Sequence, residues 1–234
     1  MKKSIGILGG MGPLATADLF QKIVLMTKAA CDNDHIRIYI DDNASIPDRT
    51  AAILRGGQDP VPVMADSVKK LTACGAGCII MPCNTAHYFL PRLQALTEVP
   101  FLSMLEATAK ACAKDRPGQV AAVLATKGTL ATGLYSDALR QEKVPYIIPD
   151  GLEQDALMRV IYEGVKADAP PESYRKDMLW VLNRLASRGA DYFILGCTEL
   201  PLAAQLLNLP DATVDPTTEL AKAAIQFCGY EVKA

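Results

Sequence analysis

An apolar run that ends in a turn and a cysteine occurs twice in this chain of 234 residues. Ile79-Ile80-Met81-Pro82-Cys83-Asn84-Thr85 returns 114 positions later as Phe193-Ile194-Leu195-Gly196-Cys197-Thr198. A short apolar run closed by a turn residue predicts a buried strand. Residues just beyond such a strand stand at its C-terminal edge, where open α/β sheets bind ligands. A second pair keeps nearly the same offset: Gly12-Pro13-Leu14-Ala15-Thr16 and Gly128-Thr129-Leu130-Ala131-Thr132 lie 116 positions apart, each after a strand. Strand-to-helix turns share small residues by necessity, so this pair alone decides nothing. Two pairs in the same order at one spacing predict a duplicated α/β unit.

Strand and helix patterns alternate along the chain. Strands are predicted over 5–8, 36–40, 78–81, 120–125, 146–148, 191–195 and 214–215. Helical patterns cover 14–30, 60–74, 104–113, 154–164, 174–188 and 218–227. Further helices are expected after the Asn84-Thr85 turn and from Gly128. Strands separated by helices of this length build βαβ units and parallel sheets. The expected fold is α/β, with two similar domains, each carrying a mostly parallel sheet flanked by helices. The boundary signals are Glu98-Val99-Pro100-Phe101 and Leu209-Pro210-Asp211. They predict a first domain over 1–100 plus 211–234 and a second over 101–210, with a ligand cleft between them.

Composition removes several classes of function. Half the residues are apolar and the net charge is -2, so there is a core to build and no basic footprint for nucleic acid. No apolar run approaches the roughly 20 residues of a membrane span. The apolar run after Lys2-Lys3 meets Gly9-Gly10 too soon for a signal peptide, which predicts a cytoplasmic protein. Seven cysteines without an export signal argue against a disulfide framework. Cys74 and Cys78 invite a metal reading, but no second Cys or His pair follows at ligand spacing. Cys31, Cys74, Cys78, Cys112 and Cys228 read as inert.

Cys83 and Cys197 are the candidates for chemistry. A thiol between a strand end and a helix start feels the positive end of the helix dipole, which favours thiolate. Asn84, Thr85 and Thr198 offer caps and donors beside them, and the same N–H groups suit a carboxylate. Two ordinary buried cysteines would not need to occupy corresponding turns. The polar segment Asp41-Asp42-Asn43-Ala44-Ser45-Ile46-Pro47-Asp48-Arg49-Thr50 follows another strand. Arg49 there has the geometry to bind a carboxylate bidentately, against the plainer alternative of a solvated loop with a local Asp48–Arg49 pairing. By pattern alone Lys127 and Lys166 are surface lysines. Glu199 is placed either to orient a substrate ammonium or a thiol, or simply to start a helix. His87 is either a proton carrier or a structural histidine. The glycines of Gly6-Ile7-Leu8-Gly9-Gly10-Met11-Gly12 do not make a dinucleotide fingerprint. They suit close backbone approach to a small anion.

The segments GILGGMGPLAT, IPDRT, MPCNTAH and LGCTELPL resemble the aspartate/glutamate racemase superfamily, and most closely its aspartate racemases. The resemblance runs from Ile5 to the last helix. Glu199 stands where glutamate racemases usually carry a histidine. The resemblance implies two similar α/β domains related by a pseudo-dyad, often a homodimer, and catalysis with no pyridoxal phosphate and no metal. It implies Cys83 and Cys197 as the acid/base pair, and Arg49 and Lys166 on the side-chain carboxylate of an acidic amino acid. Asn84, Thr85 and Thr198 would surround the α-carboxylate, with Met11 and Thr126 lining the pocket. Within the superfamily, a maleate isomerase- or hydantoin racemase-like enzyme is the alternative. Outside it, the alternative is a two-lobed small-molecule binding protein without catalysis.

Overall fold

The computed structural model describes residues 2–209 and 212–233. The chain divides into two compact units, Met1–Ala107 with Thr217–Ala234, and Thr108–Pro216. The 210/211 boundary expected from sequence falls outside the described residues.

The first unit runs β1 (Ile5–Gly9), α1 (Pro13–Met26), β2 (Ile38–Asp42), α2 (Arg49–Arg55), α3 (Val61–Ala73), β3 (Cys78–Ile80), a 3-10 stretch (Thr85–Phe89), α4 (Leu90–Gln94) and the start of α5 (Met104–Asp115). The C-terminal helix Pro216–Phe227 adds to it. The strands are parallel in the order β2-β1-β3, with Ile5 opposite both Ile38 and Cys78. Strand side chains alternate between faces, and the core follows that rule. Ile5, Ile7, Cys78 and Ile80 pack against α1 and the C-terminal helix, with Leu19, Ile23, Leu220 and Ala224. Leu8, Ile79 and Met81 pack on the other face with Met64, Val68 and Leu71 of α3.

The second unit runs β4 (Ala121–Ala125), α6 (Lys127–Ala131), α7 (Leu134–Gln141), β5 (Tyr146–Ile147), α8 (Gly151–Arg159), α9 (Pro171–Ser187), β6 (Tyr192–Gly196), α10 (Glu199–Leu207) and β7 (Thr213–Val214). Its parallel strands follow the order β5-β4-β6-β7. The segment β5-β4-β6 repeats β2-β1-β3, so the strand preceding each candidate cysteine holds the same place in its sheet. Ala122, Leu124 and Leu195 carry a core with Leu157, Met178, Val181 and Leu185 from α8 and α9.

Element boundaries depart from the sequence reading for local reasons. The helix expected to residue 30 stops at Met26, because Thr27 turns extended and bridges Val232. The second strand starts two residues later than the apolar pattern and extends through Asp41 and Asp42, which pair with Leu8 and Gly9. The helix expected from Gly128 is split by Gly133 at φ 70°. The helix expected to residue 164 ends at Arg159 and continues as a π-helical turn, Val160–Gly164. A Cβ at Gly164 would lie 2.6 Å from the Tyr174 ring, so glycine lets that turn sit on α9. The polar segment around Pro47 is not all loop: it ends in α2, whose first residue is Arg49. Among the described residues no helix is long and apolar enough to cross a membrane.

Candidate active site

In the first unit, Cys83 is buried just past β3. Its N–H donates to the Met81 carbonyl at 2.9 Å. Its own carbonyl meets Nδ1 of His87 at 2.9 Å, and Nε2 of His87 accepts the backbone N–H of Met104 at 3.0 Å. Since Nε2 accepts, Nδ1 carries the proton and donates to Cys83. Burial pushes the imidazole down to about 4. A neutral ring with both nitrogens committed to backbone has no proton to exchange, so His87 holds the cysteine turn and does not carry protons.

Arg49 is buried at the start of α2. Its Nη1 donates to the carbonyls of Ile46 at 3.1 Å and Pro47 at 2.9 Å, and Nη2 to the Met11 carbonyl at 3.3 Å. Nε is buried and finds no hydrogen-bond partner among the described residues. The local Asp48–Arg49 pairing is not formed, because the Asp48 carboxylate caps α2 through the Ala51 N–H at 2.7 Å. Among the described residues the guanidinium pairs with carbonyl oxygens and with no carboxylate. A buried cation in that state favours an anionic partner.

The glycine loop explains how Met11 reaches Arg49. Gly10 has φ 88°, and a Cβ there would lie 2.2 Å from the Asn43 carbonyl carbon. Only glycine allows the backbone after β1 to touch the backbone after β2. Met11 and Cys83 side chains share one core cluster. Met11, Arg49 and the Cys83 turn thus belong to one packed assembly at the C-terminal ends of β1, β2 and β3.

In the second unit, Cys197 follows β6 directly and is buried. Its Sγ donates to Oε2 of Glu199 at 2.9 Å. The Thr198 hydroxyl reaches the same oxygen at 3.4 Å. The other carboxylate oxygen, Oε1, faces Nζ of Lys166 at 3.5 Å. Lys166 sits in the 3-10 turn Val165–Ala167 after the π turn, with its ammonium 4.7 Å from the Tyr162 ring centre. Lys166, Thr198, Glu199 and Cys197 therefore form one cluster, whereas Lys127 pairs away from it with Asp155 at 2.5 Å. Thr126 caps α6 through the Thr129 N–H at 3.2 Å. Neither Asn84 nor Thr198 caps the following helix with its side chain, contrary to the role the sequence offered them.

Tyr135 is the site neighbour that sequence reading did not find. A Cβ at Gly196 would lie 3.0 Å from both the Tyr135 ring and the Leu124 carbonyl, so the phenol covers the glycine before Cys197. Burial holds the Tyr135 hydroxyl well above its usual range, with smaller effects from Thr108, Cys112, Asp215 and Cys197. Nothing in the α7 sequence marks it, since its contact lies in a strand some sixty residues on. Cys74 is exposed, while Cys78 is buried with its Sγ 3.7 Å from Cys228 Sγ. Among the described residues no three His, Cys, Asp or Glu side chains gather as metal ligands.

Residues 8–224 match the Asp/Glu/hydantoin racemase family. The structure is similar to Picrophilus torridus aspartate racemase, at 32% identity and a TM-score of 0.85 over 99% of this chain and 96% of that one. The sequence is 28% identical to the broad specificity amino-acid racemase RacX of Bacillus subtilis, over 97% of this chain and 99% of that protein. It is 33% identical to a glutamate racemase of Deinococcus radiodurans over 71% of this chain and 56% of that enzyme.

Proposed function

The chain belongs to the Asp/Glu/hydantoin racemase family, and we propose that it interconverts L- and D-aspartate by moving a proton at Cα between two cysteines, without a cofactor. One cysteine, as thiolate, takes the Cα proton. The other, as thiol, returns a proton to the opposite face, and the two protonation roles are exchanged. The observation that carries this reading is the matched placement of Cys83 and Cys197, each after the corresponding strand of a repeated parallel sheet. A thiol of ordinary pKa near 8.5 is a weak base toward carbon, so the carboxylates of the substrate must be held by fixed donors.

Arg49 supports a dicarboxylate substrate, since among the described residues its buried guanidinium meets carbonyls and no carboxylate. Arg49 and Lys166 are assigned to the side-chain carboxylate, Asn84, Thr85 and Thr198 to the α-carboxylate, and Met11 and Thr126 to the pocket wall. This assignment speaks for an acidic amino acid over a hydantoin. A homodimer in the cytoplasm belongs to the same reading.

The test is incubation of purified protein, dialysed against a chelator and without pyridoxal phosphate, with L-aspartate, L-glutamate and L-alanine, followed by chiral chromatography. D-aspartate forming fastest supports the proposal. No D-enantiomer from any of them, or one appearing only with added pyridoxal phosphate, ends it.

A further inference from the structure

The two cysteines have unequal surroundings. Cys197 donates its S–H to a carboxylate at 2.9 Å. That carboxylate is held by the Lys166 ammonium at 3.5 Å and is largely shielded from water, with 13% of its side chain exposed. Cys83 differs: its backbone is tied to Met81 and His87, and among the described residues no carboxylate accepts a hydrogen bond from its sulfur.

A carboxylate that accepts an S–H stabilises the thiol twice, by the hydrogen bond and by repelling the anion that would replace it. The Lys166 ammonium, 3.5 Å from Oε1, leaves Oε2 to the sulfur. The Tyr135 phenol on α7, which covers Gly196, is itself influenced by Cys112 on α5, by Asp215 beside the C-terminal helix and by Cys197. The phenol is held neutral by burial, so it places no charge on Cys197.

Resting on the two-cysteine reading above, we infer that the free enzyme is asymmetric: Cys197 rests as the thiol, Cys83 is the thiolate base, and Glu199 is the positioning residue that sets this order. Glu199 then acts through Cys197 and not on the substrate ammonium. After one turnover Cys83 holds the proton taken from Cα and Cys197 is the anion beside Glu199. The resting state returns when Cys197 regains a proton and Cys83 loses one to solvent.

The test is the pH dependence of iodoacetamide alkylation, resolved for each cysteine by peptide mass spectrometry, which needs no turnover. In the wild type the midpoint for Cys83 should lie below that for Cys197. Glu199→Gln should lower the Cys197 midpoint by about one pH unit, about tenfold faster alkylation at neutral pH, with the high-pH plateau and the Cys83 curve unchanged. Glu199→Asp should stay close to wild type. A raised plateau with an unmoved midpoint would mean that Glu199 only packs the site, and overturns the inference. So does a Cys197 midpoint below that of Cys83 in the wild type, which decides the matter even where the Gln variant does not fold. Were the protein to racemise nothing, a shifted midpoint would still establish the Glu199 effect, and only the catalytic reading would fall.

Discussion

Nε2 of His87 accepts the backbone N–H of Met104 across 3.0 Å, and so joins the Cys83 turn to the first residue of α5. Met104 is fully buried and packs with Ile5, Ile7 and Ile80 in the first unit's core. The cysteine turn is therefore referred through one imidazole to a helix start that packing has already fixed.

That imidazole makes stability depend on pH. Its folded value is about 4 against an ordinary 6.5, because burial disfavours the cation. Above the ordinary value both states are neutral and nothing changes. As pH falls below it, the unfolded chain binds a proton that the folded chain refuses until about 4. Urea unfolding should show about 2 kcal/mol less stability near pH 5 than near pH 7 from this group. His87→Gln should lose that pH-dependent part, whatever it costs at neutral pH. An equal slope in both proteins would show that His87 is not the group.

Arg49→Met should raise KM for aspartate at least about tenfold, since a hydrogen-bonded charge is worth roughly 1.5–3 kcal/mol. The effect on alanine should be small. Arg49→Lys should recover little, because a point charge cannot span three carbonyls and a carboxylate at once. Steady-state kinetics on both substrates check this, and equal losses on both would remove Arg49 from side-chain recognition.

Gly10→Ala should be among the most damaging single changes in the first unit. The new Cβ meets backbone, at 2.2 Å from the Asn43 carbonyl carbon and 2.6 Å from the Ala44 nitrogen, and the φ of 88° already disfavours an L side chain. A loss of about 3 kcal/mol or more is expected by chemical denaturation, with activity falling alongside because Met11 and Arg49 are displaced together.

The buried Glu153 carboxylate is fully shielded, ion-paired to Arg188 and 3.5 Å from Arg184, while it also closes the capping box with Asp150 at 2.8 Å. Arg188→Met should cost about 2–3 kcal/mol by stranding that charge. The same change made in Glu153→Gln should cost much less. Additive losses in the double-mutant cycle would show that the two side chains do not interact.

Much of the fold was legible because strand burial and turn chemistry are local. The runs before Cys83 and Cys197 are apolar, Gly10 marks a place where a Cβ has no room, and Gly196 one where a Cβ would be tight. Arg49 was legible as a carboxylate ligand from its type and loop, but its burial was not, since that depends on Asp48 starting α2 and Gly10 admitting Asn43. The Lys166–Glu199 contact was hidden because it joins residues 33 positions apart through a π-helical turn that has no sequence signature of its own. Tyr135 was hidden for the same reason: its partner Gly196 is chosen by the sheet, not by spacing.

The most direct measurement is loss of the Cα–H NMR signal in D₂O, starting from each aspartate enantiomer, for the wild type, Cys83→Ser and Cys197→Ser. The wild type should exchange and racemise from both sides. Each serine variant should lose racemisation by several orders of magnitude, since an alcohol is a far poorer base than a thiolate. Near-normal racemisation in both directions by either variant would contradict the two-cysteine account.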